Sequence, residues 1–357
     1  MSTVDDDVRH ALSRLILGGF HGHDVPDDFQ RLVDADMVDG AILFSRNIES
    51  LDQTAELVAR LKGLRPQRPL WMAIDQEGGR VQRLKAPFPQ LPPMRQLGAR
   101  EDADALVQRA ATILGAALST LGFDQDYAPV LDVDTNPDNP VIGDRSLARS
   151  PEAVAALGAR FIEALQATGV AACGKHFPGH GDTNVDSHLA LPRLDHDLER
   201  LRSVELVPFE AAARAQVATI MTAHVVFAPL DDEHPATLSE HVLVPVLRRE
   251  LGYQGVIVSD DLEMRAVADH YGTGDAAVRA IRCGCDQLLI CSRTDLAQEA
   301  YEALRAAAES DPAFRARVLE AAGRVDAMRA RFDPDRQPRH DADQLAALTD
   351  EWANAWA

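Results

Sequence analysis

Gly169-Val170-Ala171-Ala172-Cys173 is a short apolar run, closed by Gly174 and then by Lys175-His176. It sits between two longer amphipathic stretches, 151–167 before it and 197–215 after it. A strand covered by helices on both faces reads as an unbroken apolar run, not as an alternation of apolar and polar residues. This run therefore reads as one strand of a parallel sheet, reached from one helix and left toward another.

The same unit recurs in both directions along the chain. Runs at 40–44, 70–74, 126–130, 218–222, 255–259 and 286–290 have the same character, and an earlier one falls within 12–17, which makes eight. Helical patterns lie between them at 103–121, 151–167, 197–215, 239–251, 273–283 and 296–308. In the first of these, Leu106, Ala110, Leu114 and Leu118 recur at near-helical spacing. Ser150-Pro151 and Ser239-Glu240 read as helix starts. Eight strand–helix units favour a closed barrel over an open sheet, and 357 residues accommodate one barrel of about 250 residues with insertions. The expected fold is α/β, a single (β/α)8 TIM-type barrel over residues 1–331. A polar tail at 332–357, ending in Leu348, Trp352 and Trp356, is expected to pack on the barrel or to fray.

The formal net charge is −20, which argues against nucleic acid and anionic membranes as partners, since both select basic patches. No apolar run reaches the length of a membrane span, and the acidic stretch 1–7 does not read as a secretory leader. The expectation is a cytoplasmic monomer acting on a small molecule, with no cofactor and no metal. Cys173, Cys283, Cys285 and Cys291 all lie in apolar contexts and read as buried, reduced thiols. Cys283-Gly284-Cys285 is too closely spaced for a standard zinc pair.

A barrel draws its chemistry from the C-terminal ends of its strands. Polar residues gather at those points here. Asp75-Gln76-Glu77-Gly78-Gly79-Arg80 follows 70–74; Asp132 and Asp134 follow 126–130, with Gly143-Asp144-Arg145 further along. Lys175-His176, His224 and Asp260-Asp261 close three other runs. Any one of these alone reads as a turn or a helix cap. Their repetition at one end of the sheet is what a pocket requires. The densest block runs from Lys175 to His188, where Pro178-Gly179-His180-Gly181 excludes regular structure. Asp186 and His188 are two apart and point the same way in an extended loop. A carboxylate beside an imidazole fixes its tautomer and raises its basicity, the makings of a general acid/base dyad.

Lys175 to His188, KHFPGHGDTNVDSH, closely resembles the signature of family-3 β-N-acetylglucosaminidases. Asp75 to Arg83 (DQEGGRVQR) and Gly143 to Ser146 (GDRS) are similar to that family's sugar-binding loops, and Gly255 to Met264 (GVIVSDDLEM) to its nucleophile strand. The resemblance implies Asp260 as nucleophile. Parity alone leaves Asp260 and Asp261 open, because neighbours on a strand face opposite ways. It also implies His188 as acid/base, oriented by Asp186, and Asp75, Arg83, Arg145, Lys175 and His176 as the residues that hold the terminal sugar. His224 is a weaker candidate for the same pocket, with a structural role an equal reading.

The implied reaction is a retaining double displacement that releases GlcNAc from GlcNAc–anhydro-N-acetylmuramic acid fragments in cell-wall recycling. Two-domain relatives take their acid/base from a second domain. This chain is too short for one, and Asp186-x-His188 inside the barrel points to the N-acetylhexosaminidase branch. Asn184 and Ser292 stand where many relatives carry Asp and Asn. Two other readings remain open at this level. One is a metal-dependent barrel hydrolase using His176, His180, His188, His224 and Asp260. The other is a catalytically inactive sugar-binding protein.

Overall fold

A computed structural model describes residues 3–187, 189–332 and 341–356. The barrel strands are β1 (Ile16–Gly18), β2 (Gly40–Leu43), β3 (Trp71–Ile74), β4 (Gln125–Asp126), β5 (Ala171–Phe177), β6 (Thr219–Thr222), β7 (Val256–Asp261) and β8 (Gln287–Ile290). Each pairs in parallel with its neighbours in sequence, and β1 pairs with β8 to close an eight-stranded barrel. This is the (β/α)8 architecture expected from the alternation of short runs and amphipathic stretches.

Strand residues divide by parity between two apolar layers. Met72, Ile74, Ala172, Ile220, Ile257, Leu288 and Ile290 face the helices. Ala73, Ala171, Cys173, Val256, Val258 and Leu289 face the barrel interior. Both faces are apolar, so the sequence shows no alternation. The inward phase leads toward the barrel mouth, where the registers of β5 and β7 shift and neighbouring residues of both parities line the opening. Two residues beyond Ala73, Cys173, Val258 and Leu289 stand Asp75, Lys175, Asp260 and Cys291.

The interior is packed. Gln125 Oε1 accepts from Trp71 Nε1 at 2.8 Å, and its Nε2 donates to Thr219 Oγ1 at 2.8 Å. The N-terminal end of the barrel is closed by the end of helix Pro312–Arg329. Val325, Met328 and Phe332 join the interior cluster, with the Phe332 ring 6.5 Å from that of Trp71. Arg329 fixes this closure by donating to Asp39 Oδ2 at 2.8 Å and to the Pro69 carbonyl at 2.6 Å.

Element boundaries differ from the sequence reading where proline or packing intervenes. The first strand begins at Ile16, not Leu12, because Leu12 belongs to the buried side of helix Thr3–Ser13. Strand β4 is regular only at Gln125–Asp126, but the segment after it still bonds to its neighbours: the Tyr127 amide donates to the Ile74 carbonyl at 2.8 Å, and the Ala128 carbonyl accepts the Cys173 amide at 2.9 Å, while Pro129 has no N–H to give. The stretch 197–215 is not one helix. A π-type turn at Leu201–Glu205 precedes helix Val207–Arg214, where Pro208 removes a donor. The stretch 239–251 forms a π-type helix at Leu243–Glu250 around Pro245. Ser239 Oγ accepts the His241 amide at 3.1 Å instead of starting that helix.

Helix Ala342–Trp356 lies against helix Ala103–Thr120 with Leu345 and Trp352 buried. Trp352 Nε1 donates to the Gln90 carbonyl at 3.0 Å, and Thr349 Oγ1 to that of Pro87 at 2.9 Å. Residues 333–340 of the tail lie outside the described residues. All four cysteines are buried and none forms a disulfide. Among the described residues no helix is long and apolar enough to cross a membrane.

Candidate active site

A cavity of about 350 Å³ opens at the C-terminal end of the strands. It lies at the small end of the about 300–1,000 Å³ range of small-molecule sites. Asp75, Arg83, Arg145, Lys175, His176 and Asp260, all sequence candidates, line it together. Arg46, Glu77 and Asp261 join them, and Ile42, Phe44, Met221, Met264 and Leu289 supply apolar wall. Four cations (Arg46, Arg83, Arg145, Lys175) and four carboxyls (Asp75, Glu77, Asp260, Asp261) line the cavity, which is far less acidic than the protein as a whole.

The charges form a continuous array. Lys175 Nζ donates to Asp75 Oδ1 at 2.7 Å and stands 2.6 Å from Glu77 Oε1. Glu77 also accepts Arg145 Nη2 and Nε, each at 2.8 Å, in a bidentate fork. Arg83 reaches Asp75 Oδ2 at 3.3 Å, and its guanidinium lies 5.1 Å over the Phe44 ring. Burial alone would raise the Glu77 carboxyl, but Arg145 and Lys175 outweigh it and hold the group well below the usual carboxylate range. Burial likewise opposes the charge on Lys175, yet Asp75 and Glu77 drive its ammonium above the ordinary range. Among the described residues, carboxylates engage two of the three N–H groups of Lys175.

Asp260 and Asp261 have different surroundings. Asp260 is on the inward parity of β7 and partly exposed in the cavity. Its Oδ1 accepts the Asp261 amide at 2.8 Å. Asp261 Oδ1 instead accepts two backbone amides, Glu263 at 3.0 Å and Cys291 at 3.2 Å, and so knits the end of β7 to the end of β8. Burial, reinforced by Glu263, pushes its carboxyl up to about 7. His224 is fully buried, with Nδ1 2.8 Å from Thr237 Oγ1 and Nε2 3.0 Å from the Asp261 carbonyl. It supports the strand end and does not line the cavity.

The long motif begins in the sheet. Lys175, His176 and Phe177 are the last residues of β5, and the loop starts at Pro178. Asp132 accepts His176 Nδ1 at 2.7 Å and the His180 amide at 2.6 Å. The His180 ring spans Thr183 Oγ1 at 2.7 Å and Ser187 Oγ at 3.0 Å. Burial, aided by His176, lowers this imidazole to about 4, so it is neutral. Gly181 lies against the Val133 carbonyl so closely that a Cβ there would stand 1.8 Å from its oxygen. The Asp186 carbonyl accepts the amides of Leu189 at 2.9 Å and Ala190 at 3.1 Å. His188 lies outside the described residues.

Sequence reasoning gave no role to Glu77, Asp132 or Arg46. Glu77 was visible as a second carboxylate two residues after Asp75, on the same strand parity. Asp132 was visible as a strand-end carboxylate. Arg46 carried no signal. Among the described residues, which leave out His188, no three His, Cys, Asp or Glu side chains are placed to hold a metal ion. His180 and His224 each have both ring nitrogens engaged by protein groups.

The family model described as the glycosyl hydrolase family 3 N-terminal domain matches residues 10–328. A β-hexosaminidase of Neisseria meningitidis serogroup C is 42% identical over 285 residues, 78% of this chain and 78% of its own. A β-hexosaminidase of Pseudomonas aeruginosa is 42% identical over 271 residues, 75% of this chain and 79% of its own. The structure of NagZ from Neisseria gonorrhoeae in complex with N-trifluoroacetyl-D-glucosamine is similar at a TM-score of 0.78 and 34% identity, over 95% of each chain. A β-N-acetylhexosaminidase from Beutenbergia cavernae is similar at 0.85 and 30%, over 90% of this chain and 98% of its own. The chain belongs to glycosyl hydrolase family 3 and is a glycosidase of the β-hexosaminidase kind.

Proposed function

We propose that this chain is a retaining exo-β-N-acetylhexosaminidase. It removes non-reducing terminal GlcNAc from β-1,4-linked muropeptide fragments (GlcNAc-anhydroMurNAc-peptides) during cell-wall recycling in the cytoplasm. The observation that carries the reading is Asp260 at the inward end of β7, in one cavity with the Asp75–Lys175–Glu77–Arg145 array. Asp260 attacks the anomeric carbon while His188 protonates the departing oxygen, and the glycosidic bond breaks. Water, deprotonated by His188, then attacks the glycosyl–Asp260 ester and releases the sugar with its configuration retained. Asp186 orients His188. Asp75, Arg83, Arg145, Lys175 and His176 hold the sugar hydroxyls.

Several features support this. An unperturbed imidazole titrates near about 6.5, so one histidine serves as acid and then as base near neutral pH. A cavity of about 350 Å³ suits a single terminal sugar, as exo action requires. The Neisseria gonorrhoeae relative is described with a glucosamine derivative bound. Four buried thiols without a disulfide fit a reducing compartment. The test is hydrolysis of a chromogenic β-GlcNAc substrate and of GlcNAc-anhydroMurNAc-peptide, with NMR of the first-formed anomer. Retention is expected, with turnover lost in Asp260→Asn. An inverted product, or an Asp260→Asn variant as fast as wild type, overturns the reading.

A further inference from the structure

We infer that Asp132 is a positioning residue for the reaction proposed above: one buried carboxylate to which both the sugar-holding His176 and the loop after Phe177 are referenced. Asp132 is fully buried and does not line the cavity. Three N–H groups converge on it. The His176 amide is 3.2 Å from each oxygen, His176 Nδ1 is 2.7 Å from Oδ2, and the His180 amide is 2.6 Å from Oδ1. Residues 176 and 180 flank Pro178-Gly179, so this carboxylate ties the last strand residues to the first turn of the loop.

Each arm leads to a different part of the site. An ionised carboxylate only accepts hydrogen bonds, so Nδ1 of His176 carries the hydrogen. Nε2 is left as the other polar atom of a ring that lines the cavity. On the second arm, the His180 ring holds Thr183 and Ser187, and Ser187 is the residue between Asp186 and His188. Displacing or neutralising Asp132 therefore disturbs the sugar-facing imidazole and the placement of the loop together. A carboxylate that merely stabilised the fold would change stability alone.

The test is Asp132→Asn, which keeps size and shape but removes the charge and brings an N–H donor against three others. A folded variant is expected with higher KM, lower kcat and a kcat/KM reduced about 10–100-fold, the loss seen when a carboxylate that orients a metal-ligating histidine is removed. Its Kd for free GlcNAc should weaken about as much as KM rises. In a His176→Ala background the effect of Asp132→Asn on KM should vanish while the loss in kcat persists. Imidazole ¹⁵N NMR of the wild-type protein should show His176 protonated at Nδ1.

A folded Asp132→Asn enzyme within twofold of wild type in kcat/KM and GlcNAc Kd overturns the inference. So does an Nε2–H tautomer of His176 in the wild type, a result that stands even if the variant does not fold. The proposal rests on the reading of the reaction, and the Asp260→Asn control separates the two. If that control turns over normally the nucleophile assignment fails, while GlcNAc affinity and the His176 tautomer still decide the role of Asp132.

Discussion

Glu77 grips Arg145 through two parallel hydrogen bonds of 2.8 Å, and the same carboxylate stands 2.6 Å from Lys175 Nζ. One buried anion thus aims two cations at the cavity. Removing it in Glu77→Ala leaves Arg145 without its carboxylate and Lys175 with Asp75 alone. Breaking a buried pair from one side costs about 3–5 kcal/mol. Urea unfolding should show a loss of that order, with KM rising because Arg145 and Lys175 lose their set positions. A Glu77→Ala protein with wild-type stability and KM would show that Asp75 alone suffices.

Asp261→Asn tests the division of labour on β7. The amide oxygen of Asn can accept the two backbone amides that Asp261 accepts now, and the native carboxyl is already close to half-neutral at pH 7. Turnover should stay within about tenfold of wild type, against about a thousandfold or greater loss in Asp260→Asn, as for removal of a nucleophile. Comparable losses in the two variants would mean that Asp261 takes part in the chemistry.

Gly181→Ala forces a methyl group to within 1.8 Å of the Val133 carbonyl oxygen, and the obstacle is backbone that has no rotamer to change. Either the loop or the segment after β4 must shift. The cost should be about 1–3 kcal/mol, as for overpacked interiors, accompanied by a fall in kcat. Thermal melts and steady-state kinetics read both, and an unchanged enzyme would refute the close approach.

Asp126 gives a pH signature. It is fully buried, and burial lifts its carboxyl to about 8, with Asp75 and Glu77 adding to the effect. The folded state therefore binds a proton that the unfolded chain has released above about 4. Stability from this group is greatest below the unfolded value and declines as pH rises toward 8, by up to about 1.4 kcal/mol per pH unit. Asp126→Asn should flatten that decline in a stability series from pH 5 to 8. An unchanged slope would mean that Asp126 is ionised in the folded protein.

The barrel was legible because its runs repeat and because both faces of each strand are buried. That same double burial hid the phase. Nothing in 255–259 says whether Val256 or Ile257 points inward, so periodicity left Asp260 and Asp261 open and only the resemblance chose between them. Pro208 and Pro245 changed the helices around them because each withholds a donor at a place where the apolar pattern continues. Asp75, Arg83, Arg145, Lys175 and His176 were found through local motifs. Their partners were harder to read. Glu77 meets Arg145 68 residues away, and Asp132 meets His176 44 residues away. Such pairings are set by strand order, which a local pattern does not encode.

The far end of the barrel is stoppered by Val325, Met328 and Phe332, and Arg329 pins the stopper to Asp39 and Pro69. The molecule is a cup, not a tunnel. Whatever enters must back out through the opening it came in by, and the first fragment to depart has to be the one nearer the rim. On the exo reading proposed above, a chain longer than the cup is trimmed only from the tip that reaches the floor. Free sugar accumulating outside then competes for the same doorway as the next substrate.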